Sequence, residues 1–229
     1  MNTSDRWRVG LFPLTLAGVL LGSQPGHTIG ASATAPVVYR LIPASRFEVR
    51  TGKSGLFGFA GHSHQVRARA VEGWVVYRAD NPSASRLEVR IPAESLQVLT
   101  PPDTAEIRKV TERMRSDVLR VSQYPEIRFS ATIAAPSSKG FRLKGELTMV
   151  GRTRSVPVDV TVRLAGDTLW AGGKFSVKQT DFGIKPVTAG PGGTVKVADE
   201  VKFDFAAVAV RDPAARIDSA GTPMARAAQ

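Results

Sequence analysis

The chain has 229 residues, 31 Lys and Arg against 20 Asp and Glu, a formal charge of +11 and 42% hydrophobic residues. It contains no cysteine, which excludes disulfides and thiol chemistry, so the fold must rest on an apolar core. About 180 residues in one domain are enough to bury one.

Arg6 and Arg8 precede an uncharged apolar run at residues 9–22. The run is shorter than the roughly 18 residues that span a membrane, and small residues follow it. Ala31-Ser32-Ala33 fits a small-x-small cleavage site, so a signal peptide over 1–33 and an exported mature chain are expected. An uncleaved anchor is the alternative. The mature chain would keep 29 basic and 19 acidic residues, a charge of +10. Such a charge attracts anionic surfaces, and an exported protein meets acidic lipid headgroups far more often than nucleic acid. The basic residues are spread rather than clustered, which favours a solvated basic exterior, and no nucleic-acid partner is expected.

After the leader, residues 37–42 and 47–51 read as short strands split by Pro43-Ala44-Ser45. An apolar, glycine-rich stretch containing Phe59 leads to His62-Ser63-His64. Val66, Ala68 and Ala70 alternate with Gln65, Arg67 and Arg69, and the parity shifts near Glu72-Gly73, which predicts a bulge or bend. Leu87, Val89 and Ile91 alternate up to Pro92. From Thr104 to Leu119 the spacing of Ile107, Val110, Met114 and Val118 predicts the one long amphipathic helix.

Strands resume with Ile127, Phe129, Ala131 and Ile133. Residues 141–164 then give the clearest pattern in the chain. Phe141, Leu143, Gly145, Leu147 and Met149 alternate with polar residues, Gly151-Arg152-Thr153-Arg154 breaks the run, and Val156, Val158, Val160, Val162 and Leu164 alternate again. This predicts an antiparallel hairpin with one apolar face. Leu169, Ala171, Gly173, Phe175 and Val177 share a face, and so do Val201, Phe203 and Phe205. Residues 212–229 lack apolar periodicity and read as a disordered tail behind a domain at 34–211. About eight antiparallel strands close into a barrel or pack as a sandwich.

No glycine-rich phosphate loop, serine elbow or catalytic triad is present, and no enzymatic activity is expected. Of three histidines, His27 falls in the leader, which leaves too few for a zinc site of three or four His ligands. His62 and His64, two apart in an extended segment, point the same way. They are either satisfied loop histidines, contacts to a ligand headgroup, or half of a metal site completed by carboxylates. The inward set is Phe129, Leu143, Leu147, Met149, Val158, Val160, Phe175, Phe203 and Phe205. It is either a filled core or the lining of a cavity for a long apolar chain. Phe59, Val89, Ile91 and Phe182 join the candidate lining, with Met114 on the helix as a lid.

Four stretches together resemble the YceI-like family of bacterial, mostly periplasmic, polyisoprenoid-binding proteins. They are Tyr39-Arg-Leu-Ile-Pro-Ala-Ser45, Ser116-Asp-Val-Leu119 with Tyr124-Pro-Glu-Ile-Arg-Phe129, Gly145-Glu-Leu-Thr-Met-Val-Gly-Arg-Thr153, and Asp181-Phe-Gly-Ile184. The resemblance implies an all-β, eight-stranded antiparallel lipocalin-like barrel with one amphipathic helix. It also implies a periplasmic or secreted protein that holds an isoprenoid, quinone-like or fatty amphiphile without chemistry or a dedicated cofactor. Arg108, Lys109, Arg113 and Arg115 on or near the helix would favour transient docking at an anionic membrane, and a homodimer is compatible with this picture. The alternative is a periplasmic stress or interaction module with a filled core that acts through its surface.

Overall fold

The computed structural model describes residues 34–54, 63–99, 104–189 and 195–224. The expected leader, Phe59 and His62 lie outside the described residues. In chain order the elements are β1 (Val37–Leu41), β2 (Arg46–Ser54), β3 (Gln65–Ala68), β4 (Glu72–Tyr77), β5 (Arg86–Pro92), β6 (Leu96–Val98) and helix α1 (Thr104–Arg113). They continue with β7 (Glu126–Ser137), β8 (Gly140–Met149), β9 (Arg152–Ala165), β10 (Thr168–Lys178), β11 (Thr188–Ala189) and β12 (Val195–Arg211).

β1 and β2 run end to end along β12, with Tyr39 opposite Arg211 and Phe47 opposite Phe205. β4 and β3 flank that pair, and β5 and β6 flank β4 and β3 in turn. Six short strands therefore form three interrupted staves. β7, β8, β9, β10 and β12 bring the number of staves to eight, every neighbour is antiparallel, and the β1–β12 pairing closes the ring. The molecule is an eight-stranded up-and-down barrel, closed around its circumference.

The three interruptions are level with one another. Residues 42–45, 69–71 and 93–95 fall side by side across neighbouring staves and crease one wall of the barrel. Side chains repair the broken ladder. Ser45 Oγ donates to the Val208 carbonyl and accepts from the Val208 amide, both at 3.0 Å. Ser95 Oγ donates to the Ala70 carbonyl at 3.2 Å, and the Arg69 amide donates to the Ser95 carbonyl at 3.1 Å.

The opposite wall is built of longer strands. In the β8–β9 hairpin Leu143, Leu147, Met149, Val156, Val158 and Val160 are buried and their neighbours are not, as the alternation predicts. The turn falls one residue earlier than the glycine suggested. Met149 pairs with Arg152, which leaves Val150-Gly151 as a two-residue link with φ of 48° and 70°. That is the twist a tight hairpin needs, although a β-branched residue adopts it reluctantly. Val150 is buried against the core, which offsets the strain.

Interior glycines make room for aromatic rings. A Cβ on Gly145 would lie 2.4 Å from the Phe129 ring and 2.7 Å from the Val156 carbonyl oxygen. One on Gly173 would lie 2.9 Å from the Phe205 ring. Phe175 stacks on Phe203 at 4.6 Å, and Phe47 on Phe205 at 5.8 Å.

On the outer face Lys174, Asp204, Glu48, Arg67 and Gln97 stand in one row across five strands. Glu48 is only 3% exposed. Burial alone would raise its pKa, but hydrogen bonds from Arg67 (2.6 and 2.9 Å) and Gln65 (2.7 Å), with Arg46 nearby, outweigh it and hold the carboxyl below the usual range. A depressed carboxylate stabilises the fold above its unfolded pKa, and that contribution disappears as pH falls through the folded value. Glu48→Gln is therefore expected to cost about 1.5 kcal/mol in urea unfolding at neutral pH, the low end for a charged hydrogen bond whose partners are solvated. The deficit should shrink as pH is lowered below about 4, where the native carboxylate also protonates.

α1 continues through a wider turn, Met114–Val118, in which the Leu119 amide reaches the Met114 carbonyl at 2.9 Å. The wide turn rotates Leu119 into the core beside Val110, Met114 and Val118 and lays the segment over one end of the barrel. Among the described residues no helix is long and apolar enough to cross a membrane.

The expectation of a disordered tail does not hold for residues 212–224. Asp212 donates its amide to the Val38 carbonyl at 2.8 Å, and Arg40 binds the Asp212 carboxylate at 2.6 Å and the Met224 carbonyl at 3.0 Å. Arg86 binds the Ala220 carbonyl at 2.5 Å, and Ile217 bridges to Pro223. Val38, Val76 and Arg86 are successive cross-strand neighbours. The tail therefore crosses over Val76, which faces outward yet is 1% exposed.

Candidate functional site

Inside the barrel lies a cavity of about 270 Å³. Met114, Val118 and Leu119 of the helical segment close one end, and Tyr77, Phe141 and Leu164 surround the other. Its walls are apolar. The charged residues at its envelope, Glu48, Arg86 and Asp204, alternate with inward neighbours and face outward by register.

Most of the predicted lining is placed there. Val89 and Ile91 of β5, Phe129 of β7, and Leu143, Leu147 and Met149 of β8 all border the cavity. So do Val160 of β9, Phe175 of β10, and Phe203 and Phe205 of β12, with Met114 at the closed end.

Two predicted residues sit elsewhere in the core. Val158 and Phe182 are each 1% exposed and do not border the cavity. β9 and β10 pair only as far as Val160 opposite Gly173, whereas β10 continues beside β12 to Lys178 opposite Glu200. The short turn Gln179–Phe182 fills that divergence. Gln179 donates to the Ala198 carbonyl at 2.8 Å, Asp199 accepts from the Thr180 amide and hydroxyl, and Gly183 takes φ of 72° to send Ile184 back inward. Phe182 packs in the core as a plug for that divergence and does not border the cavity.

His64 is not part of the cavity lining. Its backbone pairs with Thr51, in line with the inward-facing register of Val49 opposite Val66. It lies beyond β3, however, at a polar depression shared with Arg50, Ser63 and Lys202. Among the described residues no three His, Asp or Glu side chains are grouped as metal ligands.

The candidate lining named from the sequence left out the small residues at the mouth half of the cavity, although Ala171 shared a face with Phe175 in that reading. Ala171 and Ala207 face each other across β10 and β12, and Ala209 follows. Alanine at inward strand positions, where a filled core would carry Val or Leu, was the available signal. Phe47 and Val49 of β2 also border the cavity, and their alternation was visible. Near the mouth Tyr39 is buried. That burial raises its hydroxyl pKa, Asp167 and Tyr77 add to the effect, and Arg211 opposes it. Among the described residues that border the cavity, no nucleophile is paired with a base, and the walls offer apolar surface from which water is excluded.

A YceI-like domain model matches residues 42–209. A UPF0312 protein of Pseudomonas aeruginosa is 28% identical over 183 residues, covering 75% of this chain and 87% of the relative. The structure of BcnA from Burkholderia cenocepacia shares the fold with a TM-score of 0.58 at 20% identity, over 73% of this chain and 98% of that one. A polyisoprenoid binding domain from Saccharophagus degradans has a TM-score of 0.56 at 13% identity, over 76% and 98%.

Proposed function

This chain belongs to the YceI-like family, and on that premise we propose that it binds an apolar amphiphile in the barrel, isoprenoid, quinone-like or fatty, for carriage or sequestration without catalysis. The observation that carries the reading is the continuous apolar cavity of about 270 Å³ beneath the helical cap. This is well above the ~150 Å³ that accommodates benzene and just short of the ~300–1,000 Å³ of drug-sized pockets. A narrow chain fits that volume better than a fused-ring body. Each methylene removed from water contributes about 0.8 kcal/mol, so some ten of them supply a gross driving force of roughly 8 kcal/mol, from which the costs of association and ordering are subtracted. The polyisoprenoid-binding description of the Saccharophagus neighbour supports the same ligand class. The expected leader over 1–33 supports export, and periplasmic or secreted carriage is part of the proposal.

Native mass spectrometry with organic extraction, on protein purified from a bacterial periplasm, tests this reading. A stoichiometric co-purified lipid is expected, and its mass names the class. Protein that is empty and also refuses added quinones and polyprenols would make the barrel a scaffold for surface interactions.

A further inference from the structure

Three large apolar side chains stand exposed among the described residues, Leu164 at 45%, Val210 at 36% and Met224 at 55%. All three lie at the end of the barrel away from the helix. Leu164 follows the inward parity of Val158, Val160 and Val162, so its exposure marks it as the lip of the mouth. Val210 is opposite Thr168, which is in turn opposite Ala165, the residue after Leu164. Met224 is held by its carbonyl to Arg40, and Arg40 is the cross-strand partner of Val210. The three residues therefore follow one arc of the rim, over β9, β10, β12 and β1.

Basic residues border the same arc. The Arg163 guanidinium lies 3.6 Å from the centre of the Trp170 ring, its outward cross-strand partner. Arg78, Lys139, Arg163 and Arg211 flank the rim against Asp80 and Asp167, and Asp167 is already paired with Arg211. An indole with a cation above it, beside exposed aliphatic side chains and a surplus of positive charge, suits a membrane–water interface. The capped end differs. Among the described residues it presents Arg108, Lys109 and Arg113 but no exposed large apolar side chain.

We propose that the mouth rim, and not the helix, is the docking surface for an anionic lipid bilayer, so that the barrel opens directly onto the membrane. This rests on the lipid-carrier reading for its purpose, but the docking itself is measured independently of ligand uptake.

The test is flotation with vesicles of equal parts phosphatidylcholine and phosphatidylglycerol, alongside uptake of a polyprenol from detergent-free solution. Val210→Glu with Met224→Glu should weaken vesicle binding by about tenfold or more and leave uptake unchanged, because neither residue borders the cavity. Arg108→Glu with Lys109→Glu should change vesicle binding by less than about twofold. In the unaltered protein, brominated phosphatidylglycerol should quench tryptophan emission, and Trp170→Phe should remove most of that quenching. Retained vesicle binding in the rim variant, its loss in the helix variant, or no binding by the unaltered protein would each overturn the proposal. So would a dimer in sedimentation velocity that Val210→Glu dissolves, since the rim would then be an interface between copies. Failure of polyprenol uptake with intact vesicle docking would count against the carrier reading alone.

Discussion

Phe182→Ala is expected to lower the unfolding free energy by about 3–5 kcal/mol, the range for deleting a buried phenyl ring where the site cannot collapse. Few residues here are better placed to produce so large a loss. Among the described residues Phe182 is the largest of the fully buried side chains, and it fills the gap that opens where β9 and β10 part. The turn that carries it is fixed independently by Gln179, Asp199 and the left-handed Gly183, so the backbone has little freedom to follow the missing ring inward. In urea the transition midpoint should fall while the slope stays constant, and the melting temperature should drop by roughly 10 °C. A loss below about 1 kcal/mol would mean that the turn collapses into the space.

Ala207→Phe is expected to do the reverse, abolishing ligand uptake while leaving stability nearly unchanged. Ala207 faces Ala171 across two paired strands, and both border the cavity. A phenyl ring there enters space that is empty in the folded protein. Had the interior been filled, the same substitution would cost about 1–3 kcal/mol through overpacking. The two readouts separate the alternatives. Lost uptake with an unchanged midpoint establishes a binding cavity, whereas lost stability would indicate a packed core. Polyprenol titration followed by tryptophan fluorescence, with urea unfolding in parallel, measures both.

Much of the barrel was legible because strand alternation is a local property. The β8–β9 hairpin, the inward faces of β10 and β12, and the parity shift before Trp74 all follow from neighbours two residues apart. What the sequence hid depends on distant partners. The tail lacks periodicity and reads as disordered, but its order comes from Arg40 and Arg86, at separations of 172 and 134 residues. Phe182 reads as lining because it is apolar and near a strand. Its true position depends on where β9 and β10 cease to pair, which alternation cannot report. His64 pairs through its backbone with Thr51, but it lies past the end of β3 and off the cavity, a height that alternation does not give. Packing against the barrel end favoured the widened turn at Met114–Val118 over the regular helix that a 3.6-residue period predicts.

The crease across the three interrupted staves makes the barrel wall unequal in its motions. Along β7, β8 and the paired lengths of β9, β10 and β12 the ladders are long, and most amides exchange only when many pairs open together. At residues 42–45, 69–71 and 93–95 the ladder is already broken and is held in part by serine hydroxyls. Such places open at the lowest free energy. Amide exchange is therefore expected to be fastest on the creased side of the barrel and slowest along the β7–β8–β9 ladders.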